Sequence, residues 1–435
     1  MRVLVLDGHS RAALETLQAL GKVRAEVDVA SETADALAFC STYLHDRLVQ
    51  PSTVAQEDFL AWLQDLDQSI PYALIVPSTE ASLIALNGLP DDHPLRAKAI
   101  IPSRQSIDTA LDKRKTFELA TRLNIPVPPS HLLLAPGRAA PPHQFPAAFP
   151  LVMKPVRSKV VIGKQLVTIN AALVADHQAR NDYLKSWLAH TPILESEYFP
   201  GHGVGIELLF NRGKKCWHFA HERIHECPLS GGASSYRRAI EPPPAMLADA
   251  ERLLQELHWH GVAMVEFKMN GQVGSEEDYR LIEINPRLWG SLALSIDAGV
   301  NFPLGLQALA LGQAPGPQPA YRFGYYTRDL LEDIGWLREN LRADHADPLL
   351  LTRPRFRSFL ELFRPLLGQE SWDHFDPGDL AVTGALMGRL VAKYAGALGR
   401  RLARSREKSP PGSAPSHQAP PAPPNIYQTP SQPWF

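Results

Sequence analysis

Glu283-Ile284-Asn285-Pro286-Arg287 closes an apolar run that begins at Tyr279, and a second run, Val262-Ala263-Met264-Val265-Glu266-Phe267, lies just upstream. Both read as strands, and the stretch between them, Gly271 to Asp278, carries two glycines and three acids, as a long hairpin loop does. Folding the chain between Gly274 and Ser275 sets Glu266 opposite Glu283. Side chains alternate along a strand, so Glu283 and Asn285 share one face while Ile284 turns to the core. Two carboxylates and an amide oxygen then converge with no basic residue in the trio. Hard oxygen ligands of this kind suit Mg²⁺, or Mn²⁺ in its place, bridging nucleotide phosphates. Arg287 reaches the same edge and can stabilise charge on a phosphoryl group. The plain alternative is a pair of acids on a solvated hairpin. The abrupt stop at Asn285-Pro286, with Arg287-Leu288-Trp289-Gly290-Ser291 directly after it, favours a site.

The chain has 435 residues, 45% of them hydrophobic, which predicts two or three domains with real cores. A net charge of −2 argues against a nucleic-acid partner. Cys40, Cys216 and Cys227 form no C-x-x-C pair and no disulfide framework, so a reducing cytoplasm is expected. The apolar run after Met1 ends at Asp7, too short for a signal peptide, and no run reaches membrane-spanning length.

Residues 1–110 alternate short apolar runs (Val3–Leu6, Ala25–Val29, Ala73–Val76) with helical stretches such as Ser10–Leu20, predicting parallel strands with crossover helices. Gly8 supplies the strand-to-helix turn and Ser10 the N-cap. Asp7-Gly8-His9-Ser10-Arg11-Ala12 lacks the other glycines of a dinucleotide fingerprint. The Pro/Ala/Gly-rich stretch Ala135–Pro150 reads as surface connection, Leu151 to about Gly312 as α+β, and the remainder as helical. The last 27 residues hold nine prolines and no Lys, Arg, Asp or Glu, and cannot build a core. Residues 386–408 place Leu386, Leu390, Val391, Tyr394, Leu398 and Leu402 at helical spacing amid arginines. Such a helix either docks on its own domain or makes a weak contact with an anionic membrane surface.

Asp112-Lys113 at a helix start, Met153-Lys154-Pro155, Glu197-Tyr198-Phe199-Pro200-Gly201, Trp259 through Phe267, and Glu283–Arg287 occur in an order that resembles the ATP-grasp superfamily of carboxylate–amine ligases. The likeness is to its carbamoyl-phosphate-synthase-like, single-chain members and covers about residues 1–311. It implies α/β plus α+β architecture: a small Rossmann-like N-terminal domain (1–110), an ATP-grasp body (111–311), a helical C-terminal extension (312–408) and a Pro-rich tail (409–435). It implies ATP and Mg²⁺, with Glu266, Glu283 and Asn285 as metal ligands and Lys154 and Arg287 as the catalytic cations. On residues alone Lys154 is a lysine snorkelling from a strand end; the resemblance makes it, and Lys113, phosphate ligands. The loop Arg157–Gln165 would cover the phosphates. It keeps only Gly163 where relatives have several glycines, with Arg157, Ser158, Lys159 and Lys164 around it, so side-chain cations would substitute for some backbone contacts and Ser158 and Lys159 are assigned to the nucleotide. Glu195, Glu197, Tyr198 and Phe199 would form the adenine hinge, and Glu207 resembles an acid near the ribose.

His218, His221 and His225 invite a zinc reading, but strand alternation splits them between faces. His221, Arg223 and Glu226, with the loop Gly231, Gly232 and Ser234, are assigned to the substrate, because paired glycines expose N–H groups to a carboxylate. Glu80, just past the last N-terminal strand, faces the acceptor or simply begins a helix. The activity implied is ATP-dependent joining of a small-molecule carboxylate to an amine through an acyl phosphate, releasing ADP and phosphate. A homodimer is implied by the same resemblance. A non-catalytic ATP sensor and a small-molecule kinase on the same site are the competing readings, with an oxidoreductase far behind.

Overall fold

A computed structural model describes residues 1–135, 148–271, 278–361, 363–389 and 391–392. The first region holds β1 (Arg2–Val5), α1 (Arg11–Gly21), β2 (Glu26–Ser31), β3 (Leu44–Val49), α2 (Gln56–Ser69), β4 (Leu74–Val76) and α3 (Glu80–Asn87). The four strands pair in parallel in the order β3-β2-β1-β4. Ser10 caps α1 by accepting from the Ala13 N–H. β3 went unread in the sequence because its exposed His45, Asp46 and Arg47 hide an edge strand's pattern.

Next come α4 (Pro94–Ala99), α5 (Arg104–Leu111) and α6 (Lys113–Arg122), the last capped by Asp112. A second sheet, in the order β5-β10-β6-β9, contains β5 (Ser130–Leu133), β6 (Leu151–Pro155), β9 (Ala172–Val174) and β10 (Ile193–Glu197). Its companion hairpin pairs β7 (Lys159–Ile162) with β8 (Gln165–Thr168), turning at Gly163, whose φ of +63° suits glycine. α7 (His177–Trp187) covers one face, where Leu151, Met153, Tyr183 and Ile193 pack together.

The largest sheet runs β15-β14-β11-β12-β13-β16-β17. It comprises β11 (His202–Asn211), β12 (Lys214–Cys227), β13 (Ala233–Ala239), β14 (Gly261–Asn270), β15 (Asp278–Asn285), β16 (Tyr326–Arg328) and β17 (Glu370–Trp372). Along β11, Val204, Ile206, Leu208 and Phe210 face α6 and α8 (Pro244–Glu256) in one core. The opposite face divides. Leu209, Trp217, Phe219, Val262 and Met264 join α1, α9 (Leu292–Ala298) and α10 (Phe302–Ala310) in a second core, while farther along the same face lie Gly203, Gly205, Glu207, His221 and Arg223. No single helix among the described residues is long and apolar enough to cross a membrane; α9 and α10 together are apolar but bent by 89°.

Beyond residue 312 the chain is helical, with α11 (Leu330–Arg342) and α12 (Arg355–Glu361), and it also supplies β16 and β17. This region is tied down by buried charge. Arg328 pairs with Asp333 and Glu370, Arg237 with Asp373, and His225 lies 2.7 Å from Asp333 and 3.1 Å from Glu361, stacked on Trp336. The expected loop centre at Gly274 and Ser275, most of the basic stretch 386–408, and the Pro-rich tail lie outside the described residues.

Candidate functional site

The hairpin of β14 and β15 sets Glu266 opposite Glu283 in register, with a bulge immediately after Glu266. Ile284 is buried in the core, and Glu283 and Asn285 take the other face. The Asn285 amide donates to Glu283 Oε1 at 3.1 Å, which turns its own oxygen away from that carboxylate. Lys113, at the first turn of α6, places Nζ 3.3 Å from Glu283 Oε2 and donates to Ser158 Oγ at 2.8 Å. Burial alone would push the Glu283 carboxyl up. Lys113, the Asn285 hydrogen bond and Lys154 outweigh it and hold the group at about 2. Glu266 is raised instead, chiefly by burial and by the Glu283 charge, although Arg223 donates to its Oε2.

Lys154 lies on β6 across from Leu194, facing the large sheet. Burial depresses its ammonium to about 8 against the support of Glu283 and Glu266, and Lys113 and Lys268 depress it further. Lys268 carried no expectation, yet it stands two residues beyond Glu266 on the same strand face, so alternation could have found it. It is held low by burial, feels Glu226, Arg223 and Glu266, and rests over the Tyr198 ring at 5.0 Å. Arg280 sits over Phe199 at 4.7 Å. Cations from both strands of the hairpin thus clasp the hinge that joins the two sheets.

Glycines of β11 explain how the larger side chains fit. A Cβ at Gly203 would come within 2.6 Å of Arg223 Cδ, and one at Gly205 within 2.5 Å of His221 Cε1. These residues clear a cradle, which is what Gly201-His202-Gly203-Val204-Gly205 does in place of a dinucleotide turn. Glu207 is fully buried, its Oε1 2.5 Å from His221 Nδ1 and its Oε2 without a partner among the described residues. A buried carboxylate oxygen without a hydrogen-bond partner can accept one from a ligand hydroxyl that reaches it.

Several expected contacts sit elsewhere. Glu195 is buried against Arg180, and its backbone is engaged on both sides by β5 and β6, so neither its side chain nor its amide is open to a base. Glu197 is exposed at the end of β10, its N–H donated to Pro129. Lys159 donates to Thr168 within its own hairpin. The Gly232 N–H, expected to meet an anionic substrate, is given to Glu226 Oε2, and the Gly231 N–H to Pro228. Glu226 also accepts from the Gly203 N–H, and the Ser234 hydroxyl donates to Tyr236. The loop is therefore folded onto Glu226 because a buried carboxylate must be satisfied. Arg287 donates to the Leu288 carbonyl at the sheet edge, and Glu80 opens α3 in the first domain. His221 and His225 turn to separate carboxylates, Glu207 and the Asp333–Glu361 pair.

Among the described residues no group of three His, Cys, Asp or Glu side chains is placed to hold a metal ion by itself. The donor set is two carboxylates and an amide. That set fits a hard divalent cation completed by ligand phosphates, because Asn285 turns an oxygen outward, Glu266 keeps Oε1 clear of Arg223, and the Glu283 oxygens, one held by Asn285 and one by Lys113, each retain a further lone pair.

A parallel N-terminal sheet, a small sheet with a covering hairpin, and a large sheet carrying paired acids are the parts of an ATP-grasp fold, and the chain has that architecture. Residues 190–329 match a family described as "ATP-grasp in the biosynthetic pathway with Ter operon". N5-carboxyaminoimidazole synthetase from Staphylococcus aureus in its ADP complex superposes with a TM-score of 0.61 at 15% identity, over 83% of this chain and 96% of that one. L-amino acid ligase from Bacillus licheniformis aligns at 0.53 and 13%, over 74% and 75%. Biotin carboxylase from Campylobacter jejuni gives 0.53 and 13%, over 74% of each chain. No curated protein sequence matches the chain.

Proposed function

We propose that this protein is an ATP-dependent carboxylate–amine ligase. The observation that carries the reading is the meeting, between the two sheets, of Glu266, Glu283 and Asn285 with Lys113, Lys154 and Lys268. Those acids and the amide would hold Mg²⁺, which supplies charge neutralisation at the phosphate oxygens. Lys113 and Lys154 receive the phosphates, with Lys113 held in place by Ser158. Tyr198 and Phe199 border the base, and the unpartnered oxygen of Glu207 accepts from a ribose hydroxyl. Arg287 stands at the end of β15, where its guanidinium can stabilise the transferring phosphoryl group.

In the proposed reaction a substrate carboxylate oxygen attacks the γ-phosphorus and the bond to ADP breaks. An amine then attacks the acyl carbon, phosphate departs, and the nitrogen loses a proton. Arg223, beside Glu266 and above the Gly203 gap, is the cation nearest to hand for the substrate carboxylate. The division at residues 110, 311 and 408, small-molecule partners, a cytoplasmic setting and a homodimer belong to the same reading. The experiment is ADP and phosphate release from Mg²⁺-ATP with pooled amino acids and small carboxylates. Turnover that needs both a carboxylate and an amine supports the ligase. Phosphate transfer to a hydroxyl identifies a kinase, and tight binding without release under any pool identifies a sensor.

A further inference from the structure

The helix α12 is amphipathic the wrong way round. Its buried residues are polar: Ser358 receives a hydrogen bond from Asn340 at 3.3 Å, and Glu361 faces His225 while its carbonyl accepts from Arg328 at 2.9 Å. Beside Arg355 and Arg357, its outward residues are large apolar ones: Phe356 is 73% exposed, and Phe359 and Leu360 about half. The patch also takes in Phe363, half exposed, and Leu367, 72% exposed, around a cavity of about 440 Å³ lined by Leu360, Phe363, Leu367, Arg357, Arg364 and the Arg357-paired Glu361. A water-facing helix ordinarily buries its apolar stripe, and a contiguous exposed one marks an interaction surface. The polar pins keep this face turned outward.

Charge decides what covers it. Arg355, Arg357 and Arg364 rim the patch, and the sole acid between Arg353 and Leu367 is the buried Glu361. We infer that this patch docks on an anionic phospholipid bilayer. Phe356, Phe359, Leu360 and Leu367 enter the boundary between headgroups and acyl chains, and the three arginines stay at the level of the phosphates. A second copy of the chain is disfavoured, because a two-fold contact would set the arginine rim against itself. Side chains exposed as fully as Phe356 and Leu367 project from the surface, as insertion requires.

The test is co-sedimentation of the full chain with phosphatidylcholine vesicles, with and without roughly 30% phosphatidylserine, at about 0.1 M salt. A Phe356→Ser/Leu367→Ser variant runs alongside, checked by circular dichroism and gel filtration. The expected result is binding to the anionic vesicles at least about tenfold stronger than to the neutral ones, and weakened about tenfold or more in the variant. Absence of binding, equal binding to neutral vesicles, or undiminished binding by a folded variant would each overturn the inference. So would a wild-type dimer that the variant dissociates, which would name a second copy as the occupant.

Discussion

Lys154 offers the sharpest test of the proposed nucleotide site. Buried between the sheets, its ammonium titrates at about 8, while Glu283 at about 2 stays ionised throughout the working range. Phosphates arriving beside it favour the charged form and return its pKa to at least the unperturbed value of about 10.4. Binding therefore takes up a proton, and affinity falls as pH rises through the free protein's value. Between about pH 7.5 and 9.5 the protonated fraction of a group at about 8 drops roughly twentyfold, or about 1.8 kcal/mol of binding free energy. Burial holds Lys268 low as well, which acts in the same direction. The assay is calorimetric titration of ADP without magnesium, in buffers of differing ionisation enthalpy, on wild type and Lys154→Arg. The guanidinium stays charged and should flatten the profile. A flat wild-type profile, or an identical slope in the arginine variant, would refute the reasoning.

Other outcomes follow from the same geometry. Glu283→Gln should keep the hydrogen bond from Asn285 and the fold, yet lower Mg²⁺-ATP turnover by roughly a hundredfold or more; full activity would remove the metal assignment. Gly205→Ala places a methyl against His221 and Glu207, so unfolding in urea should show a loss of about 1–3 kcal/mol together with weaker nucleotide binding. Glu207→Gln should weaken adenosine-nucleotide binding more than it weakens binding of tripolyphosphate, a contrast read by competition. Arg328→Met leaves Asp333 and Glu370 buried without their cation and should cost about 3–5 kcal/mol of stability by denaturant melts. Burial raises Asp333, but His225 and Arg328 outweigh it and hold it below its usual value. Its stabilising contribution is therefore full above the ordinary aspartate range and is lost as pH falls through the depressed one, which acid melts of wild type should register.

The β14–β15 hairpin was legible because local rules suffice for it. Alternation puts Glu266, Glu283 and Asn285 on one face, and two apolar runs flanking a Gly- and acid-bearing loop admit one pairing. Asp112 as a cap, Ser10 as a cap and the parallel N-terminal strands are equally local. The edge strand β3 and the two strands after residue 312 were not legible. Edge strands carry charge, and the latter two are three residues each, held to β13, far away in the chain, by the ladder from β16, the Tyr236 hydrogen bond to Glu370 and the Arg237–Asp373 pair just past β17.

Side-chain roles divide along the same line. Residue type and spacing along one strand establish which groups share a face, and so the acid pair, the adjoining amide and the neighbouring Lys268 can all be read from the order of residues. Which donors stay open depends on partners that only folding brings near. Arg180 closes on Glu195, Glu226 consumes the Gly203 and Gly232 N–H groups, and the gaps at Gly203 and Gly205 admit Arg223 and His221. Covalent order sets the period of a strand. Satisfaction of buried polar groups is a matter of contacts between segments distant in sequence, and the tertiary structure alone supplies those.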